Sequence, residues 1–321
     1  MEVINLAPLQ WINYNVAPRK LKISNTGHTG NIIDRSPYSN SLIIIVINNG
    51  KPQRHRSRKS HHHVGSRFSS VILSAKWQVE RPYLVGGSLD GNYVFSQMHF
   101  HWGETEMRGS EHSVDGARYA MPMELHVVHF KTRYSSQEEA LRQVDGVIMV
   151  VYLFKVTLNS IILNFHELYR QFSFSTQLQT PPNFFLKEIV NSLSSIKTAH
   201  TSVRAVPVVL TNIFKPFTED YFIYWGSMVT SQWTHRIMWL VCREPIGIAK
   251  EQIDEFRTLY NENDKPILGN CRPLQDHRNR NVFHVCPSGS SYATLLPISR
   301  EQLVLSSKTA ADWKDTVTEI V

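Results

Sequence analysis

Most of the chain alternates short apolar runs with turn signals, a pattern typical of β-strands rather than of helices. The turns carry pairs such as Gly86-Gly87, Asp90-Gly91 and Asp145-Gly146, which are favoured where the backbone reverses. The predicted strands are Lys20–Ile23, Val71–Leu73, Tyr93–Trp102, Glu124–Phe130, Val147–Phe154, Ala205–Leu210 and Ile237–Val241.

Helical spacing is confined to three short segments. They are Gln137–Gln143, with Ser135 or Ser136 as its N-cap, then Leu186–Leu193 and Lys250–Tyr260. The pattern therefore predicts a mainly β (α+β) fold. We expect a single domain around a large twisted, mostly antiparallel sheet of about ten strands with short peripheral helices.

Two of the predicted strands carry histidines on one face. Alternation along a strand places Gln97, His99 and His101 on the same side, and Glu124 and His126 share a side of a second strand. A lone histidine is more often a satisfied core or surface group. Three of them with polar partners indicate a three-histidine zinc site that keeps its fourth position open, as catalytic zinc requires.

The net charge of +7 over 321 residues suggests a nucleic-acid or membrane partner until the charge is located. Residues 30–70 hold seven Lys and Arg against Asp34 alone, so six of the seven net charges lie there. The rest of the chain is nearly neutral, and we expect neither a nucleic-acid nor a membrane partner. The longest apolar run, Leu42–Ile47, is too short to span a bilayer, and no signal peptide is visible.

Two segments interrupt the strand pattern, residues 30–70 and 157–177. Irregular segments of this length are uncommon inside a compact domain. The first segment contains three consecutive histidines, His61 to His63, whose composition resembles a metal site. We discount this site, because exposed histidines in a basic, Ser-rich loop usually lack fixed geometry.

The cysteines are Cys242, Cys271 and Cys286. An odd, sparse count argues against a disulfide framework and favours a reducing compartment. None of them has metal-ligand spacing, so buried small hydrophobic residues are the favoured interpretation.

Several motifs together resemble the α-class carbonic anhydrases. The strongest are QMHFHWG (97–103), GSEHSVDG (109–116) and MELHVVH (123–129). Further similar segments follow the family's order: SNTGHT, RPYLVGG, SLSSIKT, YWGSMVT, REPIGIAKEQ and NCRPLQDHRNR. The resemblance implies a carbonic-anhydrase-like domain over residues 1–286, interrupted at 30–70 and 157–177. Residues 287–321 form a C-terminal extension with no assigned role.

The resemblance also bears on the interruptions. Joining Thr29 to Val71, and Val156 to Leu178, restores family-like sequence, and 259 residues remain when both segments are removed. We interpret them as unspliced intron sequence or as lineage-specific loops. The family's usual N-terminal arm is missing, since the chain enters directly at LAPLQWINYN.

By resemblance, His99, His101 and His126 are ligands of Zn²⁺, and the reaction is the reversible hydration of carbon dioxide to bicarbonate and a proton. The three-histidine centre of carbonic anhydrases is itself the standard example of zinc with an open position. Gln97 resembles the hydrogen-bond partner of His99, and Glu124 that of His126.

Other positions take roles from the same resemblance. Glu111 corresponds to the far end of a hydrogen-bond relay, His112 to a structural support, and Asn270 to the partner of that histidine. His28 corresponds to the proton shuttle, since imidazole titrates near neutral pH; an ordinary surface histidine is the alternative.

The resemblance further implies an apolar pocket for carbon dioxide. Its residues are Val128, Met149, Met228, Val229, Ile237 and Trp239. The methionines are longer and more flexible than the branched residues common there and are expected to narrow the pocket. Simple core packing is the alternative interpretation.

One departure from the family limits the expected activity. The family motif Gly-Ser-X-Thr-Thr-Pro-Pro appears here as GSMVTSQ over residues 226–232, so Val229 replaces the Thr whose hydroxyl orients the nucleophile. Valine has neither donor nor acceptor, and loss of such an orienting contact slows chemistry roughly 10²-fold. Thr230 takes over the role if the loop shifts by one residue.

Two functions therefore stand side by side: a carbonic anhydrase with reduced activity, and a zinc-binding but weakly active or inactive relative that works as a binding protein. The expected partner is a small molecule, carbon dioxide or bicarbonate, and the expected state a monomer. Trp233 stands where secreted members carry a disulfide cysteine, which favours the cytoplasm.

Overall fold

The computed structural model describes residues 8–27, 44–45, 71–114, 121–156, 182–229, 234–273, 275 and 280–285. Fourteen strands lie in this part of the chain. They are β1 Gln10–Ile12, β2 Lys20–Asn25, β3 Ile44–Ile45, β4 Val71–Lys76, β5 Tyr83–Val85, β6 Tyr93–Trp102, β7 Ser113–Val114, β8 Met123–Lys131, β9 Val147–Val156, β10 Thr201–Ala205, β11 Tyr221–Val229, β12 Thr234–Cys242, β13 Ile246–Ile248 and β14 Val282–Val285.

Twelve of these strands form one large twisted sheet, which confirms the predicted mainly β fold. Its main path runs β10-β2-β4-β6-β8-β9-β12-β11-β14, with β1, β5 and β13 attached at the side. Most neighbours are antiparallel, and β9 pairs in parallel with both β12 and β13. The sheet is thus slightly larger than expected.

The central strands are buried on both faces. Every residue of β8 is buried, as are the first eight residues of β9. In β6 buried residues alternate with half-buried ones on both sides of an irregularity between Phe95 and Gln97. The buried set of β6 packs into the larger hydrophobic core with Phe256 and Trp11.

Four short α-helices lie at the periphery: α1 Gln137–Leu141, α2 Lys187–Leu193, α3 Leu210–Ile213 and α4 Lys250–Arg257. The Ser136 hydroxyl caps α1 by accepting from the Glu139 amide, so Ser136 and not Ser135 is the N-cap. None of the described helices has the length and apolar character that a membrane span requires.

The predicted strand Ala205–Leu210 is wrong. The strand β10 ends at Ala205, an irregular stretch follows, and Leu210 begins α3. Pro207 explains the difference, because proline has no N–H for a ladder hydrogen bond.

Both atypical segments fall largely outside the described residues, as do Cys286, the histidine tract and the C-terminal extension. The exception is β3, whose backbone pairs in parallel with β7. Cys242 is buried and Cys271 is half-buried, and the two do not form a disulfide with each other.

Candidate metal centre

The antiparallel pairing of β6 with β8 brings the three predicted histidines together. His99 lies directly opposite His126, and His101 lies opposite Glu124. The ring centres of His99, His101 and His126 are 4.7–5.2 Å apart. One nitrogen from each ring lies within 4.8 Å of the other two, a cluster suited to one metal ion.

Each of the three rings uses its other nitrogen in a hydrogen bond. His99 Nδ1 is 3.1 Å from Gln97 Oε1, and His126 Nε2 is 2.5 Å from Glu124 Oε1. His101 Nδ1 is 3.4 Å from the carbonyl oxygen of Asn270. These acceptors fix each N–H, which leaves Nε2 of His99, Nε2 of His101 and Nδ1 of His126 as lone pairs for a metal.

The surroundings keep two of these imidazoles neutral. Burial lowers the pKa of His99 well below its usual range, and positive charge on His126 or His101 lowers it further. Burial also lowers the pKa of His101, against the opposing effect of Glu111. Since a histidine binds metal only without its second proton, this donor set fits Zn²⁺.

Glu124 contacts two histidines and two backbone amides beside the cluster. Its side chain is fully buried, and Oε1 lies 2.6 Å from His112 Nδ1 as well as against His126. Its Oε2 accepts from the backbone amides of Glu111 and His112 at 2.8 and 2.9 Å. Burial alone would raise the pKa of Glu124, but His112 and His126 hold it well below its usual range.

The His112 ring contacts two side chains: its Nδ1 faces Glu124, and its Nε2 is 2.7 Å from the hydroxyl of Tyr224. The prediction that Asn270 is the partner of His112 is therefore wrong. A carboxylate only accepts, so Nδ1 carries the proton and Nε2 accepts from Tyr224. Burial raises the pKa of Tyr224 well above its usual value, which keeps that hydroxyl protonated.

Asn270 instead connects the C-terminal part of the chain to β6. Besides the contact with His101, its side chain accepts from the Trp102 amide at 2.7 Å and donates to the Phe100 carbonyl at 3.2 Å. The residue therefore positions His101 from a distance of 169 positions in the sequence.

Glu111 lies beside the histidine cluster. Its Oε1 is 3.3 Å from His101 Nδ1 and accepts from the Arg272 amide at 2.8 Å. Position 230 and the shuttle candidate His28 lie outside the described residues, so the relay expected of Glu111 stays a prediction. Val229 ends β11, where its backbone pairs with Thr234.

Five of the six predicted pocket residues lie in one apolar cluster on the histidine side of the sheet, and the side chain of the sixth, Val229, lies outside the described part. Val128, Met149, Ile237 and Trp239 are buried there, and Met228 is half-buried against them. The Trp239 ring is 5.3 Å from His126 and nearly perpendicular to it. These side chains pack against one another.

Sequence reasoning missed Tyr224 and the role of Gly226. The Tyr224 ring stacks on Trp239 with an angle of 5° between the planes. A Cβ at Gly226 would lie 2.7 Å from both of these rings, so only glycine allows the two to approach. The signal was present in the motif YWGSMVT, where Tyr224 and Gly226 share one face of a strand.

His129, the second histidine of MELHVVH, belongs to the opposite face. Its Nε2 contacts the Tyr14 hydroxyl inside the larger core, and burial lowers its pKa to about 3. It is therefore a neutral core residue, separate from the metal cluster.

Comparisons with known proteins agree with this geometry. The family model described as eukaryotic-type carbonic anhydrase matches residues 47–286. Carbonic anhydrase 3 of Homo sapiens is 32% identical over 273 residues, which covers 84% of this chain and 88% of the relative. Carbonic anhydrase 1 of Oryctolagus cuniculus is 32% identical over 204 residues, covering 62% and 76% respectively.

Proposed function

Because the chain belongs to the eukaryotic-type carbonic anhydrase family, we propose that it is a zinc-dependent carbonate dehydratase with reduced activity. The reaction is the reversible hydration of carbon dioxide to bicarbonate and a proton. The convergence of one free nitrogen each from His99, His101 and His126 carries the proposal.

These three histidines hold Zn²⁺ in the proposed enzyme. When bound, zinc lowers the pKa of a coordinated water to about 7 and so provides a nucleophile at neutral pH, as is known for this family. Gln97, Glu124 and the Asn270 carbonyl orient the rings by fixing their remaining N–H groups. The neutral ligands leave the full charge of the metal available.

The proton product leaves through His28 in this proposal. The support is the motif SNTGHT, which places His28 two residues after Thr26, beyond the end of β2. An imidazole is able to transfer a proton to buffer near neutral pH.

Val229 is the reason for proposing reduced activity. A threonine hydroxyl at this position accepts one hydrogen bond and donates another toward Glu111, which orients the nucleophile; valine does neither. Loss of such a contact slows the reaction by roughly 10²-fold. Thr230 is the residue able to restore part of the rate.

The same departure favours a second candidate, a zinc-binding protein with little or no activity. Val229 and the replacement of the Pro pair by Ser231 and Gln232 support it. The intact set of three histidines supports the enzyme instead, because an inactive binding protein has no need of an open metal position.

A carbon dioxide hydration assay on the zinc-loaded full chain decides between the two. Activity well above that of free zinc at equal concentration supports the enzyme. Activity no greater than free zinc, in a protein that holds one zinc per chain, supports the binding protein. A variant carrying His99→Ala is the control, because it removes one ligand and should abolish both binding and activity.

The Val229→Thr variant tests the orienting contact. We expect kcat/KM for hydration to rise roughly 10- to 100-fold, because the added hydroxyl restores the relay to Glu111. Val79→Thr, at a residue that is 58% exposed, is the matched control and should leave the rate unchanged. Equal rates for Val229→Thr and wild type, at equal zinc content, would contradict the assignment.

We also propose that the protein is a cytoplasmic monomer. Trp233 at the secreted family's cysteine position supports the compartment, as does the free thiol of Cys242. Sedimentation of the zinc-loaded protein at several concentrations tests the monomer.

A further inference from the structure

Four cations share one exposed face at the edge of the large sheet. Lys20 and Lys22 alternate with buried residues along β2, so both point outward. Lys76 in β4 and Arg204 in β10 are exposed on the strands that flank β2. We call Lys20, Lys22, Lys76 and Arg204 the cationic shelf.

The register concentrates these charges. Lys20 lies directly opposite Lys76, and Lys22 lies directly opposite Arg204. Opposite residues in a sheet have their Cβ atoms about 5 Å apart, and alternate residues on a strand lie about 7 Å apart. Two like-charged pairs therefore lie side by side, an arrangement that costs stability.

No carboxylate of the described residues forms an ion pair with the shelf. The ion pairs of Lys and Arg in this part of the chain lie at Lys131, Arg133, Arg142, Arg243, Lys250 and Arg257. A shallow cavity of about 450 Å³ crosses the shelf, and the described residues that line it include Ser74 and Ser202 and no acidic residue.

We propose that the cationic shelf binds a small soluble polyphosphate. Ammonium, guanidinium and hydroxyl groups are the donors that recognise phosphate oxygens, and a guanidinium binds two of them at once. A cavity of this volume fits a small molecule. The compact charge suits several phosphates on one ligand, whereas a long polyanion is bound by cations spread along a track.

The shelf faces the same side of the sheet as the metal centre. Ile72 lies opposite His99 in the pairing of β4 with β6, and Ser74 and Lys76 follow Ile72 at two-residue intervals. A phosphate bound directly at the histidine cluster is therefore the competing explanation for any binding, and the experiment has to separate it from the shelf.

Titration calorimetry of the full chain with inorganic triphosphate tests the proposal. We expect saturable binding of one triphosphate per chain, with much weaker binding of inorganic phosphate. The variant Lys22→Gln with Arg204→Gln should weaken binding roughly tenfold or more. The variant Lys265→Gln with Arg108→Gln makes the same charge change at exposed loop residues and should bind like wild type.

Three outcomes would overturn the shelf as the site. They are equal weakening by both double variants, loss of binding on removal of zinc or in His99→Ala, and binding only to vesicles that contain phosphatidylinositol bisphosphate. The last would assign the shelf to a membrane lipid. Zinc-free protein that still binds triphosphate separates this proposal from the proposed hydration activity.

Folding of the variants is checked by thermal unfolding. Replacing both members of an opposed pair of cations relieves their repulsion, so the unfolding midpoint of the Lys22 and Arg204 variant should equal or exceed that of wild type. If that variant fails to fold, Lys20→Gln with Lys76→Gln removes the other pair and decides the question, since unchanged affinity there also overturns the proposal.

Discussion

At the scale of single residues, Glu124 is a carboxylate whose side chain is fully buried. One buried carboxylate is in contact with His112 and His126 and with two backbone amides. Four hydrogen bonds satisfy its oxygens, which explains how a charge persists without exposure to water. The orientation of one proposed ligand thus depends on the same group that holds the segment of Glu111 and His112.

Glu124→Gln should weaken zinc binding by roughly 10- to 100-fold. The amide keeps the shape but replaces one acceptor oxygen with a donor, which then faces N–H groups. Competition with a chromophoric chelator measures the affinity. Glu104→Gln, at an exposed residue, is the control and should bind zinc like wild type. An affinity unchanged in Glu124→Gln would show that the His126 ring is held by packing alone.

At the scale of elements, the last described strand is held to the sheet by a polar cluster as well as by its ladder. β14 pairs with β11, and Asp220 precedes β11. The Asp220 carboxylate accepts from Arg243 Nε at 2.6 and 2.7 Å and lies 2.9 Å from His284 Nε2. Burial raises the pKa of Asp220, but His284 and Arg243 bring it below its ordinary value of 3.8.

A group with a depressed pKa stabilises the fold above its unfolded pKa and loses that effect as the pH falls through the folded value. Asp220→Asn should therefore lower the free energy of unfolding by about 1–2 kcal/mol at pH 7, a figure reduced for partial exposure. The difference from wild type should narrow below about pH 4. Urea unfolding of the zinc-free proteins measures both.

Asp264→Asn is the matched control for that experiment. Asp220 and Asp264 both have positive φ, 62° and 53°, a region that asparagine tolerates equally well. Asp264 is exposed in a turn and makes no ion pair with the described residues. A loss of stability in both variants would show that the effect comes from the positive φ at these positions and not from the ion pairs of Asp220.

At the scale of the whole molecule, β2 and β4 pair directly with each other across the first atypical segment. Asn25 at the end of β2 lies opposite Val71 at the start of β4. Once residues 30–70 are removed, four residues connect these strands, a length typical of hairpins. The geometry therefore supports our interpretation that the first segment is not needed by the domain.

We expect the 259-residue chain lacking residues 30–70 and 157–177 to fold cooperatively, bind zinc and unfold at the same or a higher temperature, since shorter loops cost less entropy. Circular dichroism and zinc titration measure this, and single deletions of each segment serve as controls. Aggregation of the shortened chain beside a folded full-length protein would make the segments part of the fold. Transcripts that retain both segments would exclude the intron interpretation.

Prediction from the sequence worked best where one period governs a whole element. Tyr93–Trp102 was predicted with its observed bounds, because polar and apolar residues alternate from Gln97 to Trp102 and an apolar run precedes them. The strand Tyr221–Val229 was missed as an element, since its apolar residues occupy both faces and show no clear period. The run Ala205–Leu210 is the opposite case: its apolar pattern predicted a strand, but Pro207 has no N–H for the hydrogen bonds of a sheet.

The sequence by itself determined the family and the mainly β fold, and it predicted which three histidines come together, because alternation and motifs are read directly along the chain. Only the tertiary structure decided which distant groups meet. It assigned Tyr224 to His112 and Asn270 to His101, and it aligned Lys22 with Arg204. Strand register sets these contacts, and register follows from the packing of the whole sheet.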